Sequence, residues 1–275
     1  MIPESTPTIS PSSSARAYWP TEDWKESTPE KQGMDPNLPF DLQRYIDKEL
    51  PHIRSVLILR HGYLVFERYY RGFHQDSLHD VWSVAKGFTS ALIGVALKEG
   101  YLKKLDLKLM DFLPEYRTAA VDPRTENITL RHLMTMTSGL DCPDGPIFRR
   151  AMESNDTIRF VLERPMMDAP GQVFGYSSGC AHLLSAVLTR SAKMTMLELG
   201  EAHLFRPLGI SAQKWVEHQG HTLGGHGLSL RTRDLAKFGY LYLNQGSWEG
   251  KQLVPGEFVR ESTQEHNPGG PPSPD

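Results

Sequence analysis

The sequence predicts an α+β fold in which an antiparallel β-hairpin near the N-terminus is followed by a long, mainly helical stretch. Residues 53–59 and 63–70 are rich in β-branched and aromatic side chains and are separated by Arg60-His61-Gly62. This pattern predicts a hairpin in which Gly62 takes the positive φ of the turn. Beyond residue 82 the apolar side chains repeat at a helical spacing. No series of alternating strands and helices is visible, which argues against a parallel sheet.

Seven segments have the pattern of helices. In the first, Val84, Phe88, Leu92 and Val95 lie on one face, and Gly100 ends it. Thr195 and Glu198 form a capping box at the start of another. The predicted helices are residues 83–99, 130–136, 156–163, 180–191, 196–205, 233–243 and 256–262.

The chain divides into three parts by composition. Residues 1–35 are polar and rich in proline, and we expect an arm that does no more than wrap the surface. Residues 36–265 carry the periodic segments and are expected to form one domain. Residues 266–275 are dominated by Pro and Gly, which predicts a disordered tail that resembles a loop cut open.

Composition excludes several classes of function. A net charge of -3 gives no broad positive field, so nucleic acid is not an expected partner. The first residues lack a secretory signal and no apolar stretch is long enough to span a bilayer, which favours a cytoplasmic protein without a membrane span. Cys142 and Cys180 are expected to be reduced. No cofactor or metal motif is found, because His218, His221 and His226 lack the spacing of metal ligands.

Ser83 and Lys86 form the main candidate site. They lie three residues apart at the start of a predicted helix, so their side chains project from the same face. A serine hydroxyl is a weak nucleophile until a neighbouring base takes its proton, and a lysine can be that base when burial or positive charge disfavours its ammonium form. The residues after Lys86 are almost free of charge, which indicates that Lys86 lies in a buried stretch. The helix N-terminus supplies N–H groups that can stabilise an oxyanion.

A second motif lies at Tyr176. Its phenol stands on a loop before a predicted helix and could exchange a proton with Lys86 and Ser83. The same stretch, residues 175–179, also matches the G-x-S-x-G nucleophile elbow with Ser177 as a rival nucleophile. That rival requires a buried strand immediately before it, and residues 172–174 are too few and too interrupted to form one.

With Ser83, Lys86 and Tyr176 identified, the chain resembles the β-lactamase-related serine hydrolases, which include class C β-lactamases, D-peptidases, esterases and 6-aminohexanoate-oligomer hydrolases. The resemblance implies a β-lactamase/transpeptidase-like fold, with an antiparallel sheet flanked by helices and an all-helical region. It also implies that Ser83 is acylated, that Lys86 is its partner and that Tyr176 is the general base. The matching stretches are WSVAKGFTS (82–90), LRHLMTMTSGL (130–140), YSS (176–178), GGHGL (224–228) and DLAKFG (234–239).

Two departures from the family pattern stand out. The second motif is usually Tyr-x-Asn, and here Ser178 stands in the Asn position, where its hydroxyl could still bind Lys86 or a substrate amide. The third motif, Lys or His followed by Thr or Ser and then Gly, is not found after Leu243, and the looser matches at 218–220 and 248–250 are attributed to chance. The C-terminal strands of the fold are therefore expected to be missing, together with the second oxyanion donor.

These observations leave two hypotheses. The first is a serine hydrolase that acts through an acyl-enzyme on a small ester, amide, D-peptide or β-lactam-like substrate, with a small molecule as its partner. The second is an inactive truncated remnant, or a ligand-binding module that is acylated slowly.

Overall fold

The computed structural model describes residues 18–211, 213–267 and 269. The helices are α1 (Leu38–Glu49), α2 (Ala85–Lys98), α3 (Leu109–Phe112), α4 (Leu130–Met134), α5 (Pro146–Glu153), α6 (Thr157–Leu162), α7 (Ser178–Ala192), α8 (Met196–Gly200), α9 (Thr232–Leu243) and α10 (Gly256–Ser262). The strands are β1 (Ser55–Arg60), β2 (Tyr63–Tyr69), β3 (His79–Asp80), β4 (Lys214–Trp215), β5 (Glu217–His218), β6 (His221–Thr222), β7 (Leu228–Leu230), β8 (Ser247–Trp248) and β9 (Lys251–Gln252). Within the described residues, these short antiparallel strands form one three-stranded sheet, β3-β7-β4, and three two-stranded sheets, and most of the remaining elements are helices.

The predicted hairpin is confirmed. Strands β1 and β2 pair antiparallel with Ser55 opposite Tyr69, and the turn between them places both His61 and Gly62 at positive φ, 51° and 87°. Helix α9 packs against the hairpin, where the Thr232 hydroxyl donates to the Ser55 hydroxyl at 2.9 Å. The hairpin is therefore supported by a helix and does not stand alone.

Helices α2 and α7 form the centre of the core. Both are buried on nearly all sides, and they pack against each other. The Phe88 ring stacks on the Phe238 ring with a centroid separation of 3.8 Å, which joins α2 to α9. Gly100, at a φ of 78°, follows the end of α2 as expected. Because the first turn of α2 and the first turn of α7 both carry candidate site residues, this central pair positions the site.

The predicted helices occur where expected, with small shifts at their ends. The capping box of Thr195 and Glu198 is present, with each side chain bound to the other residue's backbone N–H. The segment 196–205 divides into α8 and a π-helical turn, Glu201–Phe205. Helices α1, α3 and α5 were not predicted, because they are short or flanked by proline and bury few side chains.

The N-terminal arm is more than a surface wrap, and that expectation is wrong for the part that the structure describes. Trp24 is 4% exposed, and its indole N–H donates to the carbonyl of Arg233 at 3.1 Å. The backbone beside it pairs with Leu64 of β2. Two tryptophans, Trp19 and Trp24, among polar residues give no periodic signal, so the burial of Trp24 could not be predicted from the pattern. Residues 1–17 of the arm lie outside the described residues.

Most of the predicted tail, 268 and 270–275, also lies outside the described residues. His266 and Asn267 are described, and the Asn267 amide donates to the carbonyl of Thr135 at 3.0 Å. Cys142 and Cys180 are buried free thiols, as the sequence predicted. Among the described helices, none is both long and apolar enough to cross a bilayer.

Candidate active site

Ser83 lies in a single 3₁₀ turn, Trp82–Val84, that leads directly into α2. Trp82 immediately before it has a φ of 46°, a left-handed conformation that costs a residue with a Cβ about 1–2 kcal/mol. The carboxylate of Asp80 accepts a hydrogen bond from the Trp82 backbone N–H at 2.9 Å and supports this turn. The strained turn leaves Ser83 exposed at the start of the helix.

The ammonium of Lys86 is the centre of the site. Its Nζ donates to the Ser83 Oγ at 3.1 Å, to the Ser178 Oγ at 2.9 Å and to the carbonyl of Gly225 at 3.0 Å. These three bonds use all three protons of the ammonium. The amine is half-buried and held by segments that are far apart in sequence. The predicted proximity of Ser83 and Lys86 is present in the structure.

The loop that contains Gly224 and Gly225 packs against α2 and α7. The Thr89 hydroxyl donates to the Gly224 carbonyl at 2.7 Å, one helical turn beyond the bond from Lys86 to Gly225. A Cβ at Gly224 would lie 1.9 Å from the carbonyl oxygen of Ala181, and one at Gly225 would lie 2.8 Å from the Ser178 Cβ. Only glycine therefore allows this loop to approach the first turn of α7.

Ser178 links Lys86 to an acidic residue that the sequence did not single out. Asp144 accepts from the Ser178 backbone N–H at 2.6 Å with one carboxylate oxygen and from the Ser178 hydroxyl at 2.8 Å with the other. The hydroxyl therefore donates its only proton to Asp144 and accepts from Lys86. It makes the expected contact with the lysine, but it has no proton to donate to a substrate amide.

Tyr176 lies beside Lys86, but through its ring face. The Lys86 Nζ lies 4.7 Å from the ring centroid, within the range of a cation–π contact. Within the described part of the chain, the phenol hydroxyl forms no hydrogen bond to Ser83 or Lys86. The side chain is 42% exposed. Catalytic hydrogen bonds are often incomplete until substrate binds, so this geometry leaves the role of Tyr176 as a prediction.

Ser177, the rival nucleophile, is a helix cap. Its Oγ accepts from the Cys180 backbone N–H at 3.2 Å at the start of α7, and the residue is 2% exposed. Residues 172–174 before it do not form a strand. The nucleophile elbow therefore has neither its strand nor an exposed hydroxyl here.

The looser matches to the third motif lie in tight turns. Residues 218–220 connect β5 to β6, and the Gln219 amide binds the carbonyl of Ser154. Residues 248–250 connect β8 to β9, and the ring of Trp248 is buried against Trp19 and Tyr240. Neither segment contributes a hydrogen bond to Ser83 or Lys86 among the residues described.

Several histidine side chains near the site are buried or half-buried. Burial lowers the pKa of His226, and the nearby Lys86 ammonium lowers it further, while Asp144 acts in the opposite direction. His182 of α7 lies 6.0 Å from His221 between ring centroids, and burial lowers its pKa to about 3. In residues 18–211, 213–267 and 269, no His, Cys, Asp and Glu side chains are grouped so that three or more could hold a metal ion.

A cavity opens beside Tyr176. It has a volume of about 200 Å³ and is lined largely by apolar side chains, among them Met136, Leu140, Met167 and Val173. Met167 and Val173 are 68% and 49% exposed. Trp82 and Val84, which flank Ser83, are 67% and 50% exposed. Exposed apolar side chains of this size on both sides of a polar site are typical of ligand contact surfaces.

Comparison with solved structures defines the class of fold. A structure from Bacillus anthracis that carries the provisional name 6-aminohexanoate-dimer hydrolase superposes with a TM-score of 0.69 at 23% sequence identity, covering 80% of this chain and 61% of that chain. This similarity shows that the fold is β-lactamase/transpeptidase-like, as the sequence predicted.

Sequence comparison then identifies the family. Residues 54–274 match the Beta-lactamase family, and the chain belongs to it. It is 28% identical over 145 residues to a beta-lactamase of Escherichia coli K12, which covers 52% of this chain and 36% of that protein. It is 26% identical over 177 residues to the esterase EstB of Burkholderia gladioli, which covers 56% of this chain and 44% of that protein. The chain thus spans less than half the length of these two curated relatives.

Asp144 and the carbonyl of Gly225 are the site groups that sequence reasoning missed. Asp144 lies between Pro143 and Gly145 in a loop, where an acidic residue is ordinary. Its partner Ser178 is 34 residues away. The glycine pair at 224–225 belongs to a matching motif. The group that binds Lys86 there is a backbone carbonyl, however, and no side chain in the sequence marks it. Only the folded chain reveals both contacts.

Proposed function

We propose that this protein is a serine hydrolase that acts through an acyl-enzyme on small esters, with Ser83 as the nucleophile and Lys86 as its base. The observation that carries the proposal is the 3.1 Å hydrogen bond between the Lys86 Nζ and the Ser83 Oγ. The chain's membership of a family of hydrolases and its similarity to an esterase support the reaction class. Small amides, D-peptides and β-lactams are the further substrates to be tested.

The hydrogen-bond partners of Lys86 indicate how the base would work. As an ammonium, Lys86 donates to three acceptors and has no lone pair. When it loses one proton, the Gly225 carbonyl still requires a donor, and so does Ser178, whose own proton is bound by Asp144. The lone pair of the neutral amine must then face Ser83. Ser83 can transfer its proton to that lone pair as its oxygen attacks the carbonyl carbon of the ester.

Tyr176 completes the proposed relay. Its exposed phenol could rotate toward Ser83 or the leaving group when substrate fills the cavity, and either accept or return a proton. The positive end of the α2 dipole would favour the oxyanion of the tetrahedral intermediate. The apolar cavity beside Tyr176 favours an ester whose acyl or alcohol group is a hydrocarbon.

A burst experiment tests the proposal. The 275-residue chain is mixed with p-nitrophenyl butyrate, and p-nitrophenol release is followed in the first seconds. We expect a burst stoichiometric with protein, followed by steady turnover. Ser83→Ala should abolish the burst, whereas Ser177→Ala should retain it, because Ser177 only caps α7 and its loss costs about 1 kcal/mol of stability. Lys86→Met should slow the burst about 100-fold or more.

Each other outcome has a clear meaning. A burst that survives Ser83→Ala and disappears in Ser177→Ala would assign the reaction to the rival serine. A burst without later turnover would indicate a module that is acylated slowly, which is the second hypothesis. Mapping a fluorophosphonate label to the peptide that contains Ser83 provides an independent check. No burst and no label with folded protein would refute the proposed function.

A further inference from the structure

Asp144 makes a contact with the site that helix capping alone does not explain. Its carboxylate accepts from the backbone N–H of Ser178 at 2.6 Å, as an N-terminal capping group would. The second oxygen accepts from the Ser178 hydroxyl at 2.8 Å. That hydroxyl is 3% exposed and faces Lys86, which donates to it at 2.9 Å. One side chain thus lies between the carboxylate and the proposed base.

The direction of these two bonds is determined by chemistry. A serine hydroxyl has one proton and two lone pairs, and a carboxylate can only accept. The Ser178 proton must therefore point at Asp144, which leaves only lone pairs facing Lys86. Ser178 cannot donate to the amine while Asp144 is ionised.

We propose that Asp144 is a positioning residue that makes Ser178 an obligatory acceptor and so directs the lone pair of neutral Lys86 toward Ser83. This inference rests on the proposed function of Ser83 and Lys86. Without the carboxylate, the Ser178 hydroxyl is free to donate to the Lys86 amine. The lone pair is then occupied by the wrong partner, and Ser83 loses its base although every heavy atom stays in place.

Asp144→Asn separates this role from capping. The amide oxygen of asparagine can still accept from the Ser178 N–H, since Asn caps helices about as well as Asp. Its amide nitrogen would then face the Ser178 hydroxyl as a donor, which releases the hydroxyl proton toward Lys86. We expect unchanged folding and a fall in the acylation rate of about tenfold or more. Asp156→Asn is the matched control, because Asp156 caps α6 by accepting from the Arg159 N–H at 2.9 Å. Asp156→Asn should leave the acylation rate unchanged.

Ser178→Ala distinguishes the proposed positioning role of Asp144 from a purely structural role. It keeps the backbone N–H that Asp144 caps and removes the hydroxyl that could occupy the lone pair. We expect a loss of a few-fold only, and Asp144→Asn in the Ser178→Ala background should have no further effect. The double variant should therefore be more active than Asp144→Asn alone. If the two losses instead multiply, Asp144 does not act through Ser178 and the inference is overturned.

A spectroscopic readout keeps the test independent of turnover. The full chain is labelled with ¹³Cε-lysine, and the Lys86 signal, assigned by its loss in Lys86→Met, is compared between variants at one pH. Its chemical shift depends on the hydrogen-bond partners of the amine, which include the Ser178 hydroxyl. Asp144→Asn should shift the signal, whereas Asp144→Asn in the Ser178→Ala background should leave it where Ser178→Ala alone has it, because the Ser178 hydroxyl is then absent.

The two readouts distinguish failure of the inference from failure of the proposed function. A wild-type chain without a burst, but with a Lys86 signal that shifts in Asp144→Asn and not in Asp156→Asn, would refute the hydrolase and leave the Asp144 contact standing. A Lys86 signal that does not shift in Asp144→Asn overturns the inference in either case.

Discussion

Acid sensitivity should be a measurable property of this fold, because α7 buries a histidine whose ring nitrogens form no hydrogen bond within the described part of the chain. His182 is 1% exposed, and neither ring nitrogen has a hydrogen-bond partner among the described residues. Burial lowers its pKa from 6.5 to about 3, and the neighbouring histidines His221, His218 and His226 act in the same direction. The imidazole of His182 is therefore neutral in the folded state.

The sign of the effect follows from proton binding. Between pH 6.5 and 3 the unfolded chain binds a proton at His182 and the folded chain does not, so the free energy of unfolding falls as the pH falls below 6.5. The free energy of unfolding falls by about 1.4 kcal/mol for each pH unit in this window, so it is lower by about 2 kcal/mol at pH 5. This stability is fully present above pH 6.5.

Urea unfolding at pH 7.5 and at pH 5 tests this reasoning. Wild type should lose about 2 kcal/mol more between the two conditions than His182→Leu, in which the buried ring is replaced by an apolar side chain. The matched control is His52→Leu, since His52 is exposed and its replacement should keep the wild-type dependence. Equal losses in wild type and His182→Leu would show that the ring does not remain neutral in the fold.

Three further predictions concern the packing that holds the site. Gly225→Ala should slow acylation about tenfold or more, because its Cβ would lie 2.8 Å from the Ser178 Cβ and displace Ser178 from Lys86. Gly239→Ala is the control, because a Cβ at this position meets nothing within 4 Å. It should keep the activity and raise the free energy of unfolding by about 0.5–1 kcal/mol through helix propensity. Arg233→Met should lower the free energy of unfolding by about 3 kcal/mol, because Glu67 would lose the two hydrogen bonds, at 3.0 and 2.6 Å, that the Arg233 guanidinium donates to it. The Arg233 side chain is only 10% exposed, so the ion pair is largely buried. A loss below about 1 kcal/mol in urea unfolding would contradict this prediction. Phe88→Ala should cost about 3–5 kcal/mol by the same measurement, because the ring is fully buried on Phe238 and Phe205, and a small loss would show that the core collapses around the gap.

The elements with strong periodicity could be predicted from the sequence. The hairpin was visible because β-branched residues surround the His61-Gly62 turn, and α2 and α7 were visible because their apolar residues are numerous. Helices α1 and α5 were missed for the opposite reason. Each is partly exposed and buries only one or two side chains, so its pattern resembles that of a loop.

The site was predictable only where its chemistry is local. Ser83 and Lys86 share one turn of one helix, so their spacing alone implies contact. The partners that orient Lys86 come from segments 92 and 139 residues away, and no single-sequence pattern connects them. The orientation of Tyr176 could not be predicted either, because a loop tyrosine can present its ring or its hydroxyl to a neighbouring lysine with little change in backbone.

The two buried thiols offer a way to observe the site without any substrate. Cys142 precedes Asp144 by two residues and Cys180 follows Ser178 by two, and burial raises the pKa of the Cys142 thiol to about 12. Neither sulfur can react with a disulfide reagent while it stays buried, so the reaction requires a local opening of the fold. The rate of thiol modification therefore measures how often the segments around Cys142 and Cys180 open, and a ligand that binds only the closed form will slow that rate as its occupancy rises.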